Sequence, residues 1–542
     1  MNLDIKKNRQ LKISLTLQSY IVLFTLFNLV LYTGPFLNYI NTKTESTFFI
    51  SSLFVLFFIL LNMIFSILFT KKTTKVLSTL ILIINAASLY YMNLYKIQID
   101  VYMLINVFET NLKEASDIIG VGLIKSILLL GLLPSVIFIY FITIEEDSFR
   151  AKKRIKFWLC QLSFLAVFSI FSYNYKKEYG FLLSIRRRVF NYTIPINYMG
   201  NLGRLVYIKT KGLILSRNII DISSGSKLNK KFTSDRKNLI ILVVGESARS
   251  QNFSLNGYER NTNEPLKDYN ILSFKNVSSC GTATAHSIPC IFSHLDRKRF
   301  TILEGKKYEN LLDIFNKLNF DVRWRSNNGD CKGVCNRVSY LSTDGLDING
   351  HDQSIIRNLH SEIKKLSKKN TIIVINQRGS HDPYNKRYPK EFEIYKPACD
   401  TDIGGCSIEE LINVYDNSIY YSSYNLKQIL DILSKDLKDY NTMLLYVSDH
   451  GDGFGENGVW THGMPYSEAT DYVKKVPFLL WLSDNFVDEF KVDKKCLTNK
   501  INDNLSHDNI FHSMLGLFDI ENKYYDENLD IFRKCKLQHV IK

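Results

Sequence analysis

Five apolar runs occupy the first third of the chain, at 17–37, 47–70, 76–95, 121–144 and 157–172. Four of them reach the roughly 20 residues that a helix needs to cross the hydrocarbon core. The fifth is short and draws on Tyr173 and its neighbours to complete a span. Lys125 falls near one end of the fourth run, where its ammonium can snorkel to the interface. The first run is too long for a signal-peptide core and no small-residue cleavage site follows it, so it reads as an uncleaved anchor.

Beyond Tyr173 the pattern changes. Short runs rich in Ile, Val and Leu at 239–244, 371–375, 443–447 and 478–482 read as buried strands. Helical patterns at 308–318, 353–366 and 409–433 fall between them. Strand–helix alternation predicts a mainly parallel sheet covered on both faces. Between the two regimes, residues 173–235 mix apolar and basic positions and end in the polar stretch SSGSKLNKKFTSD. The expected organisation is a helical membrane domain of about five spans at 1–175, a bridging amphipathic helix and linker at 176–235, and an α/β domain at 236–542.

Charge adds direction. Lys6, Lys7, Arg9 and Lys12 precede the first run; Lys71, Lys72 and Lys75 follow the second; Arg150, Lys152, Lys153, Arg154 and Lys156 follow the fourth. All three clusters fall on one side if every run spans, and that side is cytoplasmic. Five spans then export everything after the fifth. The net charge of +15, from 68 basic and 53 acidic residues, is part loop charge and part spread through the exported region. It suits anionic membrane lipids, with Arg186, Arg187 and Arg188 as the tightest cluster, and does not indicate nucleic acid.

Cysteine usage agrees. Cys160 is in the fifth run and the other eight follow it. Cys280 with Cys290, Cys331 with Cys335, and Cys399 with Cys406 are close pairs, leaving Cys496 and Cys535 as a fourth candidate. Even counts at short spacing in an exported domain read as disulfides. The CKGVC segment has no second pair or histidine at zinc-knuckle spacing.

Three predicted strands run into motifs that carry chemistry: GES at 245–247, NQRGSH at 376–381 and SDHG at 448–451. Open α/β sheets place their sites at the carboxyl ends of parallel strands. Glu246, Asp449 and His450 offer two oxygen donors and one nitrogen, and a hydroxyl from SCGTATAHSIPC (279–290) would complete a tetrahedral zinc set. Zinc favours the alkoxide of a bound hydroxyl, which is then a nucleophile suited to phosphorus. His381 and His462 could bind phosphate, protonate a leaving alkoxide or hold a second metal. The residues alone do not choose among Thr282, Thr284, Ser247 and Ser287.

From Ile105 onward the chain resembles the phosphoethanolamine transferases of Gram-negative bacteria, of the lipid A and mobile colistin-resistance type, within the alkaline phosphatase/sulfatase superfamily. VVGESARSQNFSLNGYERNTNEP, SCGTATAHSIPCIFS, NNGDCKGVC, QRGSHDPYNKRYP and SDHGDGFGENGVWTHGMPY carry the likeness. The resemblance implies Thr284 as nucleophile and Glu246, Thr284, Asp449 and His450 as zinc ligands. It implies His381 and His462 on the phosphate side and Asn328 and Lys332 as phosphate contacts. In INVFETNLKE it implies Asn106, Thr110 and Glu114 as donor-lipid contacts. Ser247 stands where the family usually has threonine, Asn376 where it has histidine, Asp382 for glycine and Asp452 for glutamate. One zinc is implied, and Asn376 puts a second in question. The implied reaction transfers phosphoethanolamine from phosphatidylethanolamine to lipopolysaccharide, on lipid A or a core sugar. It would take place at the bacterial inner membrane, with the catalytic domain in the periplasm. The alternatives are a related glycerophosphotransferase, a sulfatase- or phosphatase-like hydrolase, and a non-enzymatic membrane scaffold.

Overall fold

A computed structural model describes residues 12–109, 115, 119–146, 150–173, 175–343, 350–401 and 405–537. The chain forms two compact units, one from residues 1–104 and 119–205, the other from 105–118 and 206–542.

In the first unit, α1 (Leu17–Tyr32) starts where the Thr16 hydroxyl accepts the Ser19 amide. α2 (Gly34–Asn41) departs from it by 57°. Pro35 explains the break: its ring and missing N–H end one helix and fit the first turn of the next. α3 (Thr47–Leu68) and α4 (Thr74–Tyr95) follow, then α5 (Val121–Tyr140) and α6 (Ala151–Tyr173). Among the described residues, α3 to α6 are long and apolar enough to span, and α1 with α2 makes a fifth span if the bent pair crosses as one. The last apolar run is thus longer as a helix than its uncharged part, because α6 also winds through the basic turn from Ala151. Only 6 % of its apolar window is buried, so its surface is left for lipid.

Packing among these helices relies on close approach and buried polar pairs. α5 contains a π-turn over Ile127–Leu132, and a Cβ on Gly131 would lie 3.1 Å from the Ile83 Cα of α4. The missing side chain lets the two helices approach closely there. Thr25 donates to Asn62 at 3.2 Å, and Tyr198 donates to Asn85 at 2.7 Å. Two further helices, α7 (Lys176–Tyr192) and α8 (Ile196–Leu215), follow the spans.

The second unit is built on seven strands. In chain order they are β1 (Asn238–Gly245), β2 (Leu272–Phe274), β3 (Asp321–Ser326), β4 (Ser339–Ser342), β5 (Asn370–Asn376), β6 (Asn441–Ser448) and β7 (Phe478–Leu482). Their spatial order is β2-β7-β6-β1-β5-β3-β4, and β7 alone runs against the rest. Ile240, Leu242 and Val244 face one core, while Leu239, Ile241 and Val243 face the other. Each such side chain contributes about 1.5–3 kcal/mol on burial, which is why β1 reads as a continuous apolar run. An amide ladder closes the amino-terminal edge: Asn238 donates to Asn370 and Asn441 to Asn238, each at 2.7 Å.

Register sets the opposite edge. Gly245 lies beside Ser448, Val244 beside Asn376, and Asn376 beside Ser326. Four strands therefore end level, and the loops that follow them converge. The polar stretch expected to be a linker is tied down along its length, ending at Ser234, whose amide donates to Glu489 at 3.0 Å. Ser223 donates to Glu309 at 2.6 Å, and Lys227–Leu228 pairs with Ile520–Glu521.

Candidate active site

Glu246 follows β1 and is 1 % exposed. The turn it occupies is strained: Ser247 has φ +57°, and its hydroxyl donates back to Glu246 Oε1 at 3.0 Å. α9 (Ile408–Asp431), started by a Ser407–Glu410 capping box, supports this turn. Its Tyr415 hydroxyl donates to the Ser247 carbonyl at 2.7 Å and accepts the Arg249 amide at 2.8 Å. From the other side comes Gly379. A Cβ there would lie 2.8 Å from the Glu246 backbone N and O, so the GSH turn needs its glycine.

Thr284 is the first residue of a short helix, Thr284–Ile291. Its Oγ1 lies 3.0 and 3.1 Å from the two oxygens of Glu246 and 3.3 Å from His450 Nε2. The Cys280–Cys290 disulfide, with 6.3 Å between Cα atoms, staples this segment. His507 anchors it as well. Its Nδ1 accepts the Cys280 amide at 3.1 Å and its Nε2 donates to the Ser448 carbonyl at 2.9 Å. Burial pushes the His507 imidazole down to about 3, consistent with this neutral tautomer. Nothing in the local sequence LSHDN marks His507; only the folded chain brings it to the loop of Thr284.

Asp449 and His450, after β6, are fully buried. Asp449 Oδ1 accepts the Ser247 and His450 amides at 3.1 and 2.7 Å, while Oδ2 has no hydrogen-bond partner. His450 Nδ1 donates to the Gly451 carbonyl at 2.8 Å, which leaves its lone pair on Nε2. Nε2 lies 3.2 Å from Glu246 Oε1 and 3.3 Å from Asp449 Oδ2. One ligand atom from each of the three residues falls within 4.8 Å of the others. Burial and the Glu246 carboxylate push Asp449 upward. For Glu246 burial opposes ionisation, but a proton on His450 Nε2, which a metal ion would replace, hydrogen-bonds to and attracts its carboxylate, and the carboxyl is held below the usual range. Two buried carboxylates, one of them with an orphaned oxygen, and an imidazole lone pair are a donor set that a divalent cation completes. The residues fit a metal ion.

Asn328 joins this group, its Nδ2 donating to Glu246 Oε2 at 2.9 Å. His462 stacks on His450 with ring centres 4.3 Å apart and lies 5.3 Å from the His381 ring. His381 Nδ1 donates to the Asp382 carbonyl at 2.6 Å. Asp452 faces His462 Nδ1 at 3.3 Å and accepts the Tyr384 hydroxyl at 2.8 Å. Asn376 is committed to scaffolding, donating to Ser326 Oγ at 3.2 Å. Lys332 turns to Asp330 and Glu109, at 3.5 and 3.8 Å. Asn106 reaches the loop of His462, with its Nδ2 3.6 Å from where a Cβ on Gly463 would stand. Thr110 and Glu114 lie outside the described residues. Thr282 turns away, donating to the Met464 carbonyl, and His286 packs edge-on against Phe300. Cys331–Cys335, Cys399–Cys406 and Cys496–Cys535 are also bonded. The fourth candidate pair is thus a disulfide.

A sulfatase family model matches residues 238–520, and one described as phosphoethanolamine transferase EptA/EptB matches 57–210. Phosphoethanolamine transferase EptA of Salmonella typhimurium is 34% identical over 474 residues, covering 85% of this chain and 86% of the relative. Phosphatidylethanolamine transferase Mcr-1 of Escherichia coli is 30% identical, covering 83% and 84%. The solved integral membrane lipooligosaccharide phosphoethanolamine transferase A of Neisseria meningitidis superposes with a TM-score of 0.86 at 29% identity, covering 97% of this chain and 100% of that one. Likeness of this extent across both units shows that the chain belongs to the phosphoethanolamine transferase family of the alkaline phosphatase/sulfatase superfamily.

Proposed function

We propose that this phosphoethanolamine transferase takes its group from phosphatidylethanolamine and passes it to lipopolysaccharide, on lipid A or a core sugar, through a covalent intermediate on Thr284. The observation that carries the reading is the seat of Thr284 Oγ1, 3.0 Å from Glu246 and 3.3 Å from His450 Nε2, an atom that also lies 3.3 Å from the orphaned Asp449 oxygen. The likeness to phosphatidylethanolamine transferase Mcr-1 and to the lipooligosaccharide phosphoethanolamine transferase A supports the choice of donor and acceptor.

In the first half-reaction Oγ1 of Thr284 bonds to the donor phosphorus and the bond to the diacylglycerol oxygen breaks. The threonine proton passes to water, and the departing oxygen takes a proton from His462 or His381. In the second, an acceptor oxygen attacks the phosphorus, its proton returns to that imidazole, and Thr284 leaves and is reprotonated. Thr284 opens its helix, so the phosphoryl group it carries sits at the positive end of the helix dipole. Asn328 and Lys332 hold the phosphoryl oxygens. Zinc held by Glu246, Thr284, Asp449 and His450 would lower the pKa of the hydroxyl and offset charge on the phosphoryl oxygens. One zinc suffices for these roles.

The membrane domain (1–175) and bridge (176–235) hold the catalytic domain (236–542) at the periplasmic face of the inner membrane, where disulfides persist. The product carries an added amine, which weakens its attraction for cationic peptides. Lipid mass spectrometry of cells expressing Thr284→Ala is expected to show no added phosphoethanolamine. Normal modification in that variant would overturn the nucleophile.

A further inference from the structure

Arg249 follows the Glu246 turn and is only 4 % exposed. Its guanidinium lies between two aromatic rings, 4.4 Å from the centre of Phe454 and 4.1 Å from that of Tyr472. Nη2 donates to Glu456 Oε1 at 2.7 Å, and Glu456 Oε2 accepts the Phe454 amide, also at 2.7 Å. Among the described residues Nε and Nη1 have no hydrogen-bond partner. A buried ion pair with unmet donors adds little net stability. What the planar guanidinium does here is join two segments, one on each of its faces.

Those segments flank His462. Phe454 and Glu456 belong to a hairpin in which Phe454–Glu456 pairs with Val459–Trp460. Gly453 and Thr461 close its base with paired backbone bonds of 3.1 and 2.8 Å. Asp452 stands just before this base and His462 just after it, and Thr461, with φ +54°, turns the chain into His462. Tyr472 lies beyond the His462 loop, next to Val473, whose carbonyl accepts the Gly451 amide at 2.8 Å. Between the hairpin and Tyr472, residues 461–468 are half-buried or exposed, so they bring little packing of their own. Arg249 therefore clamps both ends of this loop and ties them to the turn of Glu246. We infer that Arg249 is a positioning residue for His462: its two-faced stack holds the loop so that the imidazole stays against His450 and Asp452 and points at the departing oxygen of the donor. This rests on the transfer reading above, and it makes His462 the imidazole that protonates that oxygen. A lysine at 249 would keep a charge for Glu456 but lose the plane that both rings need.

The test follows single turnovers of the full-length enzyme in lipid nanodiscs, without acceptor, on two donors. Phosphatidylethanolamine loses an alkoxide that needs a proton. The p-nitrophenyl ester of phosphoethanolamine loses a phenolate that needs none: Thr284 Oγ1 bonds to phosphorus and the aryl oxygen leaves with the electron pair. Arg249→Lys is expected to slow diacylglycerol release about tenfold or more, within the roughly 10²–10⁴ that a positioned acid supplies, and nitrophenolate release by less than about twofold. His462→Ala is the reference and should show the same selective loss; without it His462 is not the proton donor and the inference falls. Tyr472→Leu removes one ring from a half-buried position and leaves the ion pair, so it folds even if Arg249→Lys does not. It should show a smaller loss of the same selective kind. Equal slowing of the two donors, or no slowing, would overturn the inference, in Arg249→Lys if it folds and in Tyr472→Leu otherwise. No release of either product by the unaltered enzyme would instead overturn the transfer reading itself.

Discussion

At the scale of single residues, a few side chains decide whether Thr284 is in place. His507 makes two buried hydrogen bonds that join Cys280, in the segment of Thr284, to Ser448 beside Asp449. Removing it leaves a buried amide and a carbonyl unpaired, which costs about 1–3 kcal/mol each. His507→Ala is expected to lower the melting temperature by several degrees and to reduce kcat more than it raises KM for the donor. Unchanged thermal unfolding and kinetics, measured on the same preparation, would show that the link is dispensable. Asp352 acts similarly on the loops of Asn328 and His381. Its buried carboxylate accepts Asn327 Nδ2 at 2.9 Å and the Arg378 and Gly379 amides at 2.9 and 3.1 Å, tying the loop before Asn328 to the turn of His381. Glu246, Asp449 and His450 stood out in the sequence because each follows an apolar run. His507 and Asp352 did not, because their roles depend on partners far away along the chain.

Strands that bury both faces were legible as runs; the strands β3 and β4 were not. β1, β5, β6 and β7 are buried throughout and each carries a central run of apolar residues. β3 carries Asp321, Arg323 and Arg325, and β4 is exposed throughout, so periodicity hid both. The pattern at 353–366 reads as one helix, yet it folds as Gln353–Ile356 and Leu359–Lys364, broken at Asn358 with φ +63°. In the membrane unit, Pro35 turned one apolar run into the bent pair α1 and α2. The contact of α5 with α4 gives a test at this scale. Gly131→Leu places a side chain against Ile83, and overpacking of this kind costs about 1–3 kcal/mol. The purified variant is expected to unfold at a lower temperature in detergent, whereas Gly131→Ala should lose less. Equal stability for Gly131→Leu would show that the helices are not held in close contact there.

On the scale of the whole molecule, stability is linked to pH through histidines buried away from the site. His294 sits among Tyr308, Phe511 and Tyr524, and burial pushes it down to about 4; burial does the same to His512. Both are neutral in the fold and gain protons more readily when unfolded. Their contribution is fully present above about pH 6.5 and is lost as pH falls toward 4. The melting temperature should therefore drop between pH 7 and 5, and His294→Phe should flatten that slope; an unchanged slope would exclude His294 as a contributor. The level ends of β1, β3, β5 and β6 unite these scales, since they bring Glu246, Asn328, His381 and Asp449 to one edge around Thr284. The most direct test of that arrangement is peptide mass spectrometry of the enzyme incubated with phosphatidylethanolamine and no acceptor. The account predicts a phosphoethanolamine adduct on Thr284 that disappears when acceptor is added. An adduct on Thr282, Ser247 or Ser287, or continued transfer by Thr284→Ala, would contradict it.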